Sequence, residues 1–498
     1  VSRPTVSTGY QILGDNNKEK PVMDFSTDKL KVVILGDFSG RASRRLCEPD
    51  TISSRRVYLL NRDTFEGIFA DLGVSLQLPV MEQPLALPCF DDLHPDYLYS
   101  RLPLFKKFIE LEQRLLDPDQ FQQAAEEIQQ WKPELASQSE GTGRYGEQSI
   151  LDEILAAGRE RHAQESQNTF QVDQLIKDIV APYVQKSEDP RQGEYLDALA
   201  EAASDAMRKV MHHSDFRQLE ASWLSFQFLL RRIEEHGNLD LYLVDVSKEE
   251  LLADFAQAES DLEKSQVFKL LVERETISGN IPYNLVVGDY FISDEERDLH
   301  LLIDLSTIAE AAGSALLLGG ETKLAGCPNL SGSVDPDDWY YPLSDQFEAS
   351  WQAVREYSAS NHVALAAPRF MLRLPFGKEA STTEYFNFEE LTSEQSHEYY
   401  LWGNSVYLLA LTLCQEFSQS GKLNLPEAAR YENLPLHLRK LPHGEWLTPC
   451  AEALLTDRAA AKFIRAGIST LRSVQGRDQV VLPKLISLEG GTLKGPWS

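Results

Sequence analysis

The sequence predicts an α/β protein, in the wider α+β sense with mixed sheets. Two observations carry this. Short runs rich in Val, Ile and Leu alternate with longer stretches of helical periodicity, and at YNLVVGDY, HLLIDLSTIAEAAG and SALLLGG the order strand, helix, strand recurs at a crossover's length. Such a unit implies a parallel pair of strands. The chain has 498 residues, 42% of them hydrophobic and 25% charged, enough for about three domains with ordinary cores.

Taken in order, residues 1 to 30 are polar and mixed, an expected extended arm. KLKVVILGDFSGR gives a strand at Lys31 to Leu35 that stops at a Gly-Asp turn. VYLLNRDTFEGIFADLG follows, with Asp63 and Glu66 spaced as a cap pair before a short helix and Gly73 where a C-terminal glycine belongs. Leu104, Phe108, Leu111 and Leu115 form one helical stripe ending at Pro118. Residues 119 to 170 turn rich in Gln, Glu and Ala, a helical and linker region with its loosest part near 135 to 150.

A second body opens near Val172. Leu219, Trp223, Phe226, Leu230 and Ile233 recur at steps of four and three, an apolar seam whose Trp223, Phe226 and Leu230 should be core. LDLYLVDVS reads as a strand, and EELLADFAQAESDLEK as a helix. Leu301, Leu305, Ile308 and Ala312 share a helical face. HVALAAPRFMLRL is a strand, YLWGNSVYLLALTLCQEF an apolar helix, and residues 434 to 488 a last strand–helix–strand set.

Charge and cysteine usage narrow the function. The formal net charge is −29, a surface that repels phosphate backbones, so nucleic acid and anionic membranes are not expected partners. Arg41, Arg44, Arg45, Arg55 and Arg56 stand out as a local basic patch, either a contact for an acidic neighbouring subunit or a solvated loop. Cys47, Cys89, Cys327, Cys414 and Cys450 show no CxxC spacing, which suits reduced, mostly buried thiols. No apolar run approaches the roughly 18 residues of a membrane span, and the first twenty residues have no signal-like apolar core. The reading is cytoplasmic, without membrane insertion.

Motifs that invite chemistry have plainer readings. VILGDFSGR lacks the Lys-Ser/Thr pair of a phosphate loop. The Gly319 to Gly326 loop follows a buried strand, where α/β proteins bind ligands, but its glycines also suit a tight turn. His212 and His213 are adjacent and point about 100° apart on a helix, so they do not converge on one ion; Asp215 reads as a helix cap. Asp337, Asp338, Glu389 and Glu390 read as surface acids. No catalytic, cofactor-binding or metal-ligating residue is assigned, no cofactor is expected, and the chain reads as a non-enzyme. An enzyme using metal or nucleotide at the Gly319 loop or His212 is the rival of another class.

Several segments resemble the contractile sheath of type VI secretion systems. VVILGDFSGR, NRDTFEGIFADLGVSLQL and HPDYLYSRLPLFKKFIELEQRLLDP are similar to the small sheath subunit, over residues 1 to 118. MHHSDFRQLEASWLSFQFLLRR, LYLVDVSKEELLADF, VVGDY, WQAVREYSASNHVALAAPRFMLRLPFGK and YLWGNSVYLLA resemble the large subunit in order, giving a large-subunit-like region from 171 to 498. Arg369, Arg373 and Trp402 lie in the segments most like the family. The resemblance implies a tail-sheath-like fold and a structural subunit that assembles around an inner tube and contracts to drive it out. Its implied partners are copies of itself or other sheath subunits, with inner tube and baseplate proteins. The family's tail after YLWGN is longer than the one here, so a sheath-like cap, baseplate-linked or assembly-regulating protein is the alternative.

Overall fold

The computed structural model describes residues 29–130 and 192–497, apart from 80, 82, 118, 234–236, 260, 278–281, 393–396, 423, 427 and 442–443. The expected N-terminal arm, the loose stretch at 135 to 150 and the start of the second body near Val172 lie outside these residues. The contacts divide the chain into two compact units, one of 1–74, 218–374 and 400–498 and one of 75–217 and 375–399.

The first unit is built on seven strands, β1 Leu30–Gly36, β2 Tyr58–Leu60, β3 Leu239–Asp245, β4 Leu285–Ile292, β5 Ala315–Gly320, β6 Val363–Ala367 and β7 Ile468–Thr470. Their order across the sheet is β7-β6-β5-β4-β1-β3-β2. All neighbours are parallel except β2, which runs antiparallel to β3 at one edge. The crossover expected around HLLIDLSTIAEAAG is present: β4 and β5 are parallel, joined by the helix Glu296–Ala312.

The N-terminal strand takes a central place. β1 pairs with β3 from Leu30↔Leu239 to Gly36↔Asp245 and with β4 from Val32↔Leu285 to Leu35↔Gly288. Val32, Val33, Ile34 and Leu35 are all buried, as a strand covered on both faces requires. On one face the helices Lys248–Ala258, Glu296–Ala312, Asp345–Arg355 and Asp457–Arg465 bring Leu251, Leu305, Trp351 and Phe463 onto Val33, Val286 and Leu318. The helix Val406–Ser420, apolar almost all round, packs on β4, β5 and β6. From Gln218 onward the helix Ser214–Arg232 supplies Trp223, Phe226 and Leu230, all buried as expected. Trp223 meets the rings of Phe38, Phe65, Phe69 and Phe226, and its indole N–H donates to the Phe38 carbonyl at 2.8 Å.

In the second unit the expected stripe of Leu104, Phe108, Leu111 and Leu115 is the buried face of the helix Pro103–Leu116. It packs on the helices Phe121–Gln130 and Gln192–Met211. Residues 384–389 lie against the helices of this unit. The Asp96 carboxylate accepts from the backbone of Glu384 and Tyr385, Arg208 donates to the Glu389 carbonyl at 2.7 Å, and Phe386 stacks on Tyr99.

Local details differ from the sequence reading. Asp63 is no cap: Thr64 stands at the start of the helix Phe65–Leu72, and Thr64 and Asn61 exchange side-chain-to-backbone bonds of 2.8 and 3.0 Å. Gly73 does end that helix, at a φ of 61° that favours glycine. Asp215 is not the cap either; its own N–H donates to His213 Nδ1 at 3.2 Å. The helix from Lys248 stops at Ala258, where Glu259 takes a positive φ, so it does not run through to Lys264. HVALAAPRFMLRL divides into β6 and the strand Phe370–Met371, because Pro368 has no N–H to continue a ladder.

Replacing Trp223 with Ala removes a fully buried indole and a buried hydrogen bond. It is expected to lower unfolding free energy by about 3–5 kcal/mol in urea titration, and Trp223→Phe by clearly less.

Candidate assembly site

In a parallel α/β sheet, ligands bind beyond the carboxyl ends of the strands, at the point where strand order reverses. Here the chain passes from β1 out to β2 at the edge, in to β3 and then past β1 to β4, so that point lies above β3, β1 and β4. The loop that follows β1 occupies it. Asp245, the last residue of β3, accepts from the backbone of Phe38 and Ser39 at 2.8 and 3.0 Å and from the Ser39 hydroxyl at 2.7 Å. Asp37 accepts from the backbone of Arg41 and Ala42 at 2.6 and 2.8 Å. Those acceptors leave the turn's N–H groups spent within the chain.

Glu250 lies beneath this loop, its side chain fully buried. It completes a capping box with Ser247 at the start of the helix Lys248–Ala258. The same carboxylate takes Arg41 Nε at 2.9 Å and Nη2 at 2.8 Å, Arg55 Nη2 at 2.6 Å and the Glu48 N–H at 3.0 Å. Two charge-assisted forks compensate a buried carboxylate that burial alone would make costly. The basic patch is therefore turned largely inward. Arg44 donates to the carbonyls of Ser39 and Gly40, and Arg56 pairs with Asp71 at 2.9 Å; Arg45 is exposed.

Burial opposes charge on Glu250, but the Arg55 and Arg41 guanidiniums outweigh it and hold the carboxyl at about 2. Asp37 has no cation to offset its burial and faces Asp245, so its carboxyl is pushed up to about 6. Burial also raises Asp245 and Asp289.

The segments that carry the sheath resemblance are tied to one another. Glu220, from the LEASW stretch, receives Arg373 Nε at 2.6 Å and Nη2 at 3.2 Å. Asp289, from VVGDY, receives Asn404 Nδ2 and the Tyr407 hydroxyl, each at 3.2 Å. Trp402 and Gly403 form a short antiparallel ladder with Met371 and Phe370. Arg369 reaches Glu452 through its Nε at 2.8 Å, and Trp402 is buried. These polar groups fix one strand or helix to another.

The other candidates separate. In the Gly319 to Gly326 loop, Gly319 and Gly320 still belong to β5, and Thr322–Ala325 is a single 3₁₀ turn. A Cβ at Gly319 would lie 2.7 Å from the Phe291 ring and 2.8 Å from Asn404 Oδ1, so close packing is what requires glycine there. His212 stacks on Tyr399 while His213 serves the next helix. Asp337 pairs with exposed Arg458. Glu390 is not a surface acid: it is buried and accepts the Phe376 N–H at 2.8 Å. Cys327, Cys414 and Cys450 are buried, Cys89 partly buried and Cys47 exposed, all as free thiols. Among the described residues no group of three or more His, Cys, Asp or Glu is placed to hold a metal, and no helix is long and apolar enough to cross a membrane.

The fold is a largely parallel α/β sheet whose crevice is filled by the protein's own turn, and comparison with known proteins gives its family. Residues 194–488 match the VipB family model, described as EvpB/VC_A0108, tail sheath N-terminal domain. The chain belongs to this type VI secretion sheath family. It is also 28% identical over 276 residues to the type VI secretion system sheath protein TssC1 of Pseudomonas aeruginosa, an alignment covering 54% of this chain. The chain spans about half the length of that relative, 55% of it.

The two carboxylates at the crevice give opposite pH responses. Glu250 is depressed in the folded state, so its stabilisation is present above its ordinary 4.5 and is lost as pH falls toward 2. Asp37 is raised, so its contribution is greatest below its ordinary 3.8 and is lost as pH rises through about 6. Urea midpoints measured from pH 7.5 to 3.5 should show a gain on moving from 7 to 5 that Asp37→Asn diminishes. At pH 7, Glu250→Gln should cost about 3–5 kcal/mol, because two guanidiniums lose their shared partner.

Proposed function

We propose that this chain is a non-enzymatic structural subunit of a type VI secretion contractile sheath. In this reading it works in the cytoplasm, assembles with copies of itself or with other sheath subunits around an inner tube, meets baseplate proteins, and contracts to drive the tube out. The observation that carries the proposal is the mutual bonding of the family-like segments, above all Glu220 with Arg373 and Asp289 with Asn404. A subunit that transmits force needs bodies whose polar groups are satisfied internally and whose cores resist deformation.

Residues 1 to 118 are proposed to act as the small-subunit part, 119 to 170 as the helical and linker region, and 171 to 498 as the large-subunit part. The central place of β1, between two strands of the family-matched region, supports treating the N-terminal segment as an integral part of the sheath body. Assembly would use strand addition between neighbours together with apolar surface.

Electron microscopy of the overexpressed full chain, alone and with tube protein, is the test. Rings, discs or tubules are expected. Single particles of one-chain size at high concentration under both conditions would remove the proposal.

A further inference from the structure

Both neighbours of β1 carry an aspartate at the level where β1 ends. Asp245 is paired with Gly36 from one side. Asp289 meets Gly36 from the other, where a Cβ placed on the glycine would lie 3.2 Å from the Asp289 Cβ. Asp37 comes next in the chain, so the turn that follows β1 is set among carboxylates. Asp245 and Asp37 also grip this turn at its two halves. Asp245 takes the amides of Phe38 and Ser39, and Asp37 those of Arg41 and Ala42.

The groups around Asp37 do not compensate it. Within the turn, Arg41 bonds to Glu48 and Glu250, and Arg44 to the carbonyls of Ser39 and Gly40. Arg55 is likewise spent on Glu250, at the start of the helix Lys248–Ala258. From β4, the Tyr290 hydroxyl donates to the Val246 carbonyl at 2.7 Å, and Asp289 is occupied by Asn404 and Tyr407. Among the described residues, backbone amides alone bond to the Asp37 carboxylate, and the charge it faces is that of Asp245. Two buried carboxylates so placed repel each other once both are ionised.

We infer that the turn from Asp37 to Ala42 is a proton-controlled latch, closed on the crevice while Asp37 is protonated and loosened away from Asp245 when Asp37 ionises. Loosening is local: it frees the Phe38 carbonyl from the Trp223 indole and admits water to the carboxyl ends of β1 and β3, while the strands stay paired. Burial and then Asp245 push the Asp37 carboxyl up from 3.8 to about 6. The stabilisation is therefore complete below 3.8 and lost as pH rises through about 6, so mild acid tightens the latch. This device belongs to the fold itself and does not rest on the sheath reading.

Native-state amide hydrogen exchange of the full chain at pH 5 and pH 7.5, corrected for intrinsic rates and repeated in low urea, tests it. The amides of Phe38, Ser39, Arg41 and Ala42 are expected to exchange through a local opening that low urea leaves unchanged. Their protection should be about tenfold lower at pH 7.5 than at pH 5. Asp37→Asn should hold that protection at one level at both pH values. Asp245→Asn is the second variant, needed should Asp37→Asn fail to fold; it should shrink the step without abolishing it, because the burial of Asp37 remains. Wild-type turn amides that are equally protected at the two pH values, or that open only together with Val33 and Ile34 of β1, would overturn the latch. A full tenfold step in folded Asp37→Asn would do the same.

Discussion

Everything in the first unit depends on β1 lying between β3 and β4. The strand is only seven residues long, yet both of its edges are paired and its four central side chains are buried. Removing it would leave β3 and β4 with facing rows of unpaired backbone groups in the middle of a sheet, each a cost comparable to a lost hydrogen bond. It would also strand Trp223, whose neighbours Phe38, Phe65 and Phe69 all come from the segment that β1 leads. Backbone pairing sets the register of that segment, and the aromatic cluster sets its distance from the helix that carries Trp223.

The polar seam beside β1 follows from the same placement. A strand that ends in the crevice of a parallel sheet delivers its next residues to the place where a ligand would sit. Asp245 and Glu250 bind that turn through its N–H groups and its two inward arginines. The crevice thereby becomes a joint. Glu250 is matched by cations and remains charged, whereas Asp37, bonded only by backbone amides and facing another carboxylate, is under electrostatic strain. The family to which the chain belongs is that of tail sheath proteins.

Much of this was legible in the sequence, because periodicity reports burial directly. The seam from Leu219 to Ile233, the helix face from Leu301 to Ala312 and the buried ALLLGG strand all lie where their spacing puts them. VVIL betrayed a strand but not its neighbours, since parallel partners lie far off in sequence and leave no local mark. Charges misled for a related reason. Arg41 and Arg55 look like a surface patch until Glu250, 209 and 195 positions away, folds beneath them. Glu390 looked like one of a pair of surface acids because nothing local announces that it serves the Phe376 backbone. The turn residues erred by one or two places, Asp63 for Thr64 and Asp215 for His213, where several polar side chains in a row compete for the same N–H groups.

The central strand also sets a timetable for the nascent chain. The Lys31 carbonyl accepts from the backbone N–H of Asn284, and the Lys31 N–H donates to the Asn284 side chain, 253 positions away, so β1 has both its edges filled only after β4 has been made. Contacts that span so much sequence close slowly. During that interval an unpaired VVIL edge is open to any other strand, including the same strand of a neighbouring polypeptide. The sequence distance between β1 and its partners is thus also the length of chain over which that edge stays open.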